Sequence, residues 1–281
     1  MRRSKFTIIA LFTLLSLTLT FSTGWNAKRL ETDTIQLRGS GNLAPIAQKV
    51  AENFMQENPG SVVTVLSTGT MRGYKSLIDA TSNVGMASAH CDESLKKRAQ
   101  DNEMTIKEQV VALDALVPVV HPGNTVSNLT LEQLRKLFSG EITNWSQVGG
   151  ADEPVIIVSH DGTSGNYETW KEKVIGEGKI VTPKAKIMAS DAMRDYIQQT
   201  PGAIGYLGLS YHNSSLKFLS VDGIKAQPAT IQNNTYPIIR TLSLCTTQHT
   251  TATINKFIEY FLAADKGQTL VRQAGVIPVK L

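Results

Sequence analysis

One stretch of the chain combines small, hydroxyl-bearing and glycine residues in a pattern that could bind an anion. Residues 155–170 read VIIVSHDGTSGNYETW, which predicts an apolar strand, a turn and the start of a helix. The first backbone N–H groups of a helix lack intrahelical partners and lie at the positive end of its dipole, so they favour an oxyanion. Thr163 and Ser164 can add hydroxyl donors, while Gly162 and Gly165 let the backbone approach a ligand closely. A single turn of this kind is usually only a helix cap, so its recurrence matters.

The same order of strand, turn and helix occurs twice more, nearer the N-terminus. Residues 34–38 form an alternating strand before the turn at 39–45, and residues 61–66 form a strand before the turn at 67–73. In open α/β sheets, ligands bind at the carboxyl ends of the strands. None of the turns carries the Gly-Lys-Ser/Thr of a nucleotide phosphate loop. We therefore expect the three turns to hold one small oxyanion without chemical change.

An enzyme is the rival interpretation of the third turn. Ser164, His160 and Asp161 are the residue types of a serine hydrolase. Neighbours in one turn cannot form the relay, however, because the base must face the nucleophile from another segment. The sequence at 162–166 also lacks the Gly-x-Ser-x-Gly elbow. We therefore expect no catalytic residue.

A metal site and a disulfide are two further possibilities. His90, Cys91 and Asp92 are consecutive, and adjacent side chains rarely converge on one ion, so neither a metal nor a cofactor is expected. Cys91 and Cys245 could pair in an oxidising compartment, which would stabilise the fold by about 4–5 kcal/mol in the chain-entropy model. Two buried free thiols are the alternative.

The N-terminus resembles a secretory signal. Basic residues within 1–5 precede a largely apolar run at 6–21, which is short for a membrane span. Cleavage is expected after Gly24, giving a signal peptide of residues 1–24, and an uncleaved anchor helix is the alternative. No cysteine follows the apolar run, so a lipid anchor is not supported. Cleavage would lower the net charge from +4 to +1 and leave no dense basic cluster, so a nucleic-acid partner is not expected.

Other segments indicate how these turns are positioned. The apolar run at 110–120 is long enough to cross between two lobes, and Thr130 with Gln133 forms a capping box before a helix that Gly140 can end. Strands and helices alternate along the chain, which predicts an α/β fold with mostly parallel sheets. A hydrophobic content of 41% is enough for a full core divided between two lobes.

Four motifs indicate which family the chain resembles. They are LTLEQLRKLFSGEITNW at 129–145, DGTSG at 161–165, PGAIGY at 201–206, and GQ with GVIP between 267 and 278. With these motifs the chain, from about residue 34 to 281, is similar to the phosphate-binding subunit of bacterial phosphate ABC transporters, a type-II periplasmic binding protein. The resemblance implies a two-lobed α/β fold with a hinge and an interlobe cleft that closes on the ligand.

The resemblance also implies a set of ligand contacts. These are Gly41, Asn42 and Leu43 in the first turn, Thr70 in the second, Ser88 at a strand end, and Ser164, Gly165 and Asn166 in the third turn. Three positions depart from the usual pattern: His160 replaces an arginine, Asn166 a threonine, and Ser88 an aspartate that some phosphate-specific members carry. His160 would weaken binding or strengthen it at lower pH, unless it is a solvent-facing turn residue. Arg72 could supply the missing cation, or could be an exposed surface arginine.

These inferences predict a periplasmic or secreted monomer. Residues 34–117 with 213–281 are expected to form lobe one, and residues 118–212 lobe two. The ligand is expected to be inorganic phosphate or a similar oxyanion, and the partner a membrane ABC permease. An oxyanion sensor or adapter without a transport role is the alternative, because the changes at Ser88 and His160 depart from the transport pattern.

Overall fold

The computed structural model describes residues 33–212 and 215–279. The predicted signal peptide, residues 1–24, lies outside this part of the chain. Within the described ranges, no helix combines the length and apolar character needed to cross a bilayer.

Strands and helices alternate along the chain, as predicted. The strands are β1 (Asp33–Gly39), β2 (Ser61–Ser67), β3 (Val84–Ala87), β4 (Lys107–Val120), β5 (Asn128–Leu129), β6 (Ile156–Ser159), β7 (Lys186–Ile187), β8 (Ala203–Gly208), β9 (Lys217–Phe218), β10 (Ser220–Val221), β11 (Ile239–Thr246) and β12 (Ile277–Pro278). The helices are α1 (Ala44–Glu57), α2 (Thr70–Ile78), α3 (Glu93–Asp101), α4 (Leu131–Ser139), α5 (Gly165–Trp170), α6 (Ser190–Gln199), α7 (Pro228–Gln232), α8 (Ala252–Leu262) and α9 (Gly267–Gln273).

Several helix ends have the chemistry that the sequence predicts. Thr130 and Gln133 form the capping box of α4, and Gly140 ends that helix in the left-handed conformation. Ser164 is the N-cap of α5, and its hydroxyl accepts a hydrogen bond from the Asn166 amide. Capping therefore fixes where these turns enter their helices.

The strands form a continuous curled sheet in the order β2-β1-β3-β11-β4-β8-β6-β7. The long strand β4 pairs with β11 through residues 107–115 and with β8 through residues 116–120. The pairing is parallel at the two ends of this order, but β11 pairs antiparallel with both β3 and β4, and β4 pairs antiparallel with β8. The expectation of mostly parallel sheets is therefore wrong at the centre, where β4 and β11 run in opposite directions.

Two main hydrophobic cores flank this central pair of strands. In the first core, Phe54 packs edge-on against Phe257 with ring centroids 5.2 Å apart. In the second, Trp170 stacks on Tyr206 with centroids 4.1 Å apart, and Phe138 packs against both rings. Truncating one of these buried aromatic residues to alanine costs roughly 3–5 kcal/mol, so each core can stabilise its own side of the molecule.

The packing of residues 215–238 indicates which strand carries the chain back from lobe two to the first core. Strand β9 pairs with the end of β4, and Leu219 and Tyr236 lie in the second core. We therefore propose that the return crossing is β11, which begins at Ile239, and that the segment before it belongs with lobe two. The lobe limits near residues 117 and 213 stay predictions.

Cys91 and Cys245 lie in one small cluster with Tyr74, and both are buried free thiols. This matches the second alternative from the sequence. Burial raises the pKa of Cys91 to about 12 and also raises the pKa of Cys245. Both thiols are therefore protonated and unreactive at neutral pH.

Candidate functional site

The three predicted turns surround one polar cavity of about 340 Å³. The predicted contact residues that line it are Gly41, Asn42, Thr70, Arg72, His160, Ser164, Gly165 and Asn166. The other two predicted contacts, Leu43 and Ser88, are fully buried and lie behind the cavity wall. The structure therefore brings together eight of the ten positions at the cavity surface.

The first turn is shaped by Gly39 and presents backbone donors. Gly39 has a φ of 143°, and a Cβ there would lie 2.0 Å from the Met86 carbonyl oxygen, so only glycine fits. The Ser40 amide donates to the same carbonyl at 2.8 Å. Among the described residues, the amides of Gly41 and Leu43 have no hydrogen-bond acceptor. Leu43 packs its side chain in the first core, so only its backbone could serve a ligand.

The second turn is tied to the first and adds hydroxyl groups. The amides of Thr68 and Gly69 both donate to the Gly39 carbonyl at 2.9 Å. The Thr68 hydroxyl is buried and has no partner among the described residues, although it belongs to a residue that lines the cavity. A buried hydroxyl without a partner is costly, and a bound ligand oxygen would satisfy it. Arg72 is exposed at the cavity and donates to the Thr68 carbonyl at 3.4 Å.

Thr70 and Ser88 form the floor beneath these turns. The Thr70 hydroxyl oxygen lies 3.2 Å from the Ser88 hydroxyl oxygen and accepts from the Ser88 amide at 3.2 Å. The floor is closely covered, because a Cβ at Gly165 would lie 2.1 Å from Ser88 Oγ and 2.5 Å from Thr70 Oγ1. An oxyanion must therefore lie on the open side of Gly165 unless the walls separate.

The third turn adds a carboxylate beside the hydroxyl groups. Asp161 accepts hydrogen bonds from the Thr163 amide, at 2.9 Å, and from the Thr163 hydroxyl. Burial acts to raise the pKa of Asp161, but these hydrogen bonds and the charge of Arg72 outweigh it, so the net pKa is lowered. Asp161 is therefore negative at neutral pH.

His160 is neither a solvent-facing residue nor a cation. It is only 3% exposed, and its Nε2 atom lies 3.2 Å from the Tyr206 carbonyl oxygen and 3.0 Å from Asn166 Nδ2. Burial lowers the pKa of His160 to about 4, helped by the positive charge of Arg240 and opposed by the Tyr206 carbonyl. The imidazole is therefore neutral at pH 7 and cannot replace the charge of an arginine.

Asn166 joins three parts of the site through its carboxamide. Its Oδ1 atom accepts from Asn42 Nδ2 at 2.8 Å and from the Arg240 guanidinium, while its Nδ2 faces His160. The side-chain amide is thus occupied by protein groups rather than free to donate to a ligand. The role of Asn166 in this geometry is to hold the first turn, the third turn and β11 together.

A buried ion pair anchors this junction. Arg240 Nη2 lies 2.6 Å from Asp114 Oδ2, and both residues are at most 5% exposed. The other carboxylate oxygen of Asp114 accepts from the Leu209 amide at 3.0 Å. Neither residue was among the predicted contacts, although Asp114 is the single charge in the apolar run 110–120 and Arg240 is the single charge in β11. Such a charge is rarely buried unless it is paired, and that could have identified them.

The geometry does not support hydrolysis. The Ser164 hydroxyl accepts from the Asn166 amide as a helix cap, Asp161 binds Thr163, and His160 faces Tyr206 and Asn166. These contacts hold the three residues in separate structural roles rather than in a relay.

Two α/β halves around a polar cleft define a periplasmic-type binding protein. The chain belongs to the PBP superfamily, since the model of a PBP superfamily domain matches residues 26–265. This is a family of binding proteins and not of enzymes, in agreement with the expected absence of catalysis.

Several proteins that are similar to this chain have names that state that they bind phosphate. The chain is 28% identical over 247 residues to the phosphate-binding protein PstS of Bacillus subtilis, covering 88% of this chain and 81% of that protein. It is 28% identical to PstS of Borreliella burgdorferi, covering 91% of this chain and 94% of the relative. A crystal structure of a phosphate ABC transporter substrate-binding protein from Clostridium perfringens, with bound phosphate, matches with a TM-score of 0.81 and 28% identity, covering 88% of this chain and all of that one.

Proposed function

We propose that this protein captures inorganic phosphate, or a similar tetrahedral oxyanion, in its cleft and delivers it to a membrane ABC permease. The observation that carries the proposal is the convergence of unpaired donors from different turns. The amides of Gly41 and Leu43, the first amides of α2 and the Thr68 hydroxyl lie on one side of the cavity. The Gly165 amide, which has no acceptor among the described residues, lies on the other side. The names of the relatives support phosphate as the ion.

Closure of the cleft is the proposed mechanism. A ligand that accepts hydrogen bonds from turns on both sides stabilises the closed arrangement relative to the open one. The closed form then presents a distinct surface to the permease, whereas the bound ion undergoes no chemical change. We propose that the protein acts as an extracytoplasmic monomer.

Calorimetry on ligand-stripped protein tests the binding function. We expect phosphate and arsenate to bind with similar affinity. We also expect sulfate to compete, because Ser88 provides no carboxylate acceptor for a protonated oxyanion and the Asp161 carboxylate is already hydrogen-bonded to Thr163. Thr68→Val, which replaces the unpartnered hydroxyl with a methyl group of similar size, should weaken binding of phosphate. If none of the three oxyanions binds, the proposed function is wrong.

The identity of the partner protein distinguishes a transport role from a sensing role. Crosslinking of the phosphate-loaded protein in intact cells, followed by mass spectrometry, should recover a membrane permease. Recovery of a sensor kinase without a permease would instead support the alternative of an oxyanion sensor or adapter.

A further inference from the structure

The cavity is larger than a tetrahedral ion requires, although its walls already touch. Asn42 and Asn166 are hydrogen-bonded across it at 2.8 Å, and the Thr169 hydroxyl donates to the Ser88 carbonyl at 3.1 Å. The remaining volume is still about 340 Å³. One water occupies about 30 Å³ of liquid and a tetrahedral ion only a few times more, whereas pockets of about 300 Å³ and above hold small organic ligands.

The charged side chains that line the cavity sum to a net negative charge. Among the described lining residues, the formal charges are those of Arg72, Asp161 and Asp191, because His160 is neutral. The lining therefore carries one net negative charge. A phosphate dianion would gain from the amides and hydroxyls but would be repelled by this surplus carboxylate.

The surplus acid lies at a second polar corner of the cavity. Asp191 and Ser190, at the start of α6, interact with the hydroxyl of Tyr211, and all three residues line the cavity. Arg194 pairs with Asp191 at 3.2 Å but also with Asp195 at 2.8 Å. One guanidinium thus serves two carboxylates, so this corner keeps a net negative charge.

We propose that the cleft also takes, and prefers to the bare ion, a small phosphate monoester or phosphonate that carries an ammonium group. The phosphoryl group accepts from the turn amides, from the Thr68 hydroxyl and from Arg72, and the ammonium group lies against Asp191 and Tyr211. The proposal rests on the oxyanion-binding function proposed above and specifies its ligand class. It explains the excess volume and the excess negative charge together.

Calorimetry with three probes tests this proposal: inorganic phosphate, ethyl phosphate and 2-aminoethyl phosphate. The last two differ chiefly in the ammonium group. We expect 2-aminoethyl phosphate to bind at least tenfold more tightly than either of the other two. The preference should shrink as salt is raised, because the carboxylate corner is partly exposed to solvent.

Two matched variants locate the preference. Asp191→Asn removes the corner charge and should reduce the preference for 2-aminoethyl over ethyl phosphate to below threefold. Asp101→Asn makes the same change at an exposed carboxylate on α3 that pairs with Lys97 and does not line the cavity, and it should leave the preference intact. Thermal melting of both variants confirms that they are folded.

The outcomes separate this proposal from the function on which it rests. If inorganic phosphate binds as tightly as 2-aminoethyl phosphate, or if Asp191→Asn leaves the preference intact, the ligand class proposed here is overturned while phosphate capture stands. If none of the three probes binds, the oxyanion-binding function itself fails.

Discussion

Asn42 and Asn166 lie 124 residues apart in the sequence and meet in the cleft through a 2.8 Å hydrogen bond from Asn42 Nδ2 to Asn166 Oδ1. The Arg240 guanidinium donates to the same oxygen. This contact joins the first turn to the third and connects both to the central strand β11. It is a direct link between the two walls of the cavity.

We expect Asn42→Ala to speed ligand release. A hydrogen bond of this kind contributes about 0.5–1.5 kcal/mol, so its loss should destabilise the closed form and raise the phosphate Kd by roughly 2–12-fold. The backbone donors of the first turn are retained in this variant. Stopped-flow measurement of dissociation checks the prediction, with Asn255→Ala on the exposed face of α8 as the control. An unchanged dissociation rate would show that the contact does not hold the cleft closed.

Gly165 provides a steric test of the same closure. A Cβ at this position would lie 2.1 Å from Ser88 Oγ and 2.5 Å from Thr70 Oγ1, distances that force the walls apart. Gly165→Ala should therefore weaken phosphate binding at least tenfold while the protein remains folded, because the strain is relieved by opening. Gly162→Ala is the control in the same turn, since its Cβ would meet no atom within 4 Å. Calorimetry and circular dichroism measure the two effects, and equal affinities in both variants would contradict the proposed closure.

The sequence predicts the parts of the fold that depend on local chemistry. The capping box of Thr130 and Gln133 is determined by residues a few positions apart, and the structure confirms it. The three turns meet at one cavity because β6 runs opposite to β1 and β2 in the sheet, so the carboxyl ends of these strands face each other across the cleft.

The features that the sequence did not predict depend on packing between segments that are distant along the chain. Leu43 and Ser88 occupy expected positions in the chain, yet their side chains point into the protein rather than into the cavity. His160 is buried by segments that are distant in sequence, and no local pattern shows this. The pairing of Asp114 with Arg240 joins residues 126 positions apart. A lone charge in an apolar strand indicates that a partner exists, but it does not say which residue provides it.

Removing one partner of the Asp114–Arg240 ion pair should destabilise the protein, whereas replacing both partners with apolar residues should cost much less. Removing one partner leaves an uncompensated buried charge, so Arg240→Met should lower the free energy of unfolding by about 3–5 kcal/mol. Asp114→Leu combined with Arg240→Met removes both charges and should recover much of this loss, since replacing a buried ion pair with apolar residues is often neutral. Urea unfolding of the single and double variants measures the coupling. Additive losses in the double variant would show that the two charges do not stabilise each other.

The same double variant separates stability from binding. Without Arg240, the Asn166 carboxamide loses one donor to its Oδ1 atom, so the junction with Asn42 becomes less fixed. We expect the double variant to fold but to bind phosphate several-fold more weakly than the wild type. Arg240→Lys should restore part of the affinity, because an ammonium group can still donate to Asn166. Wild-type affinity in the double variant would mean that Arg240 has no positioning role.

His160 should make the protein less stable in acid. Near neutral pH, however, phosphate binding should not depend on the protonation of this imidazole. Its pKa in the folded protein is about 4, below the ordinary value of about 6.5 in an unfolded chain. Above pH 6.5 the imidazole is neutral in both states, so it contributes no pH dependence. Between pH 6.5 and 4 the unfolded chain takes up a proton that the folded protein does not, so stability falls as the pH falls.

The size of this effect follows from the separation of the two pKa values. At about 1.4 kcal/mol per pKa unit, the loss attributable to His160 reaches roughly 3 kcal/mol below pH 4. Urea unfolding of the wild type and of His160→Gln at pH 7 and pH 4.5 isolates this loss, because the carboxylates are common to both proteins. The wild type should lose more stability than the variant over this interval, whereas the pH dependence of phosphate affinity from pH 5.5 to 8 should be the same in both. A wild-type affinity that rises towards pH 5.5 and loses that rise in His160→Gln would show that the imidazole becomes charged and binds the anion after all.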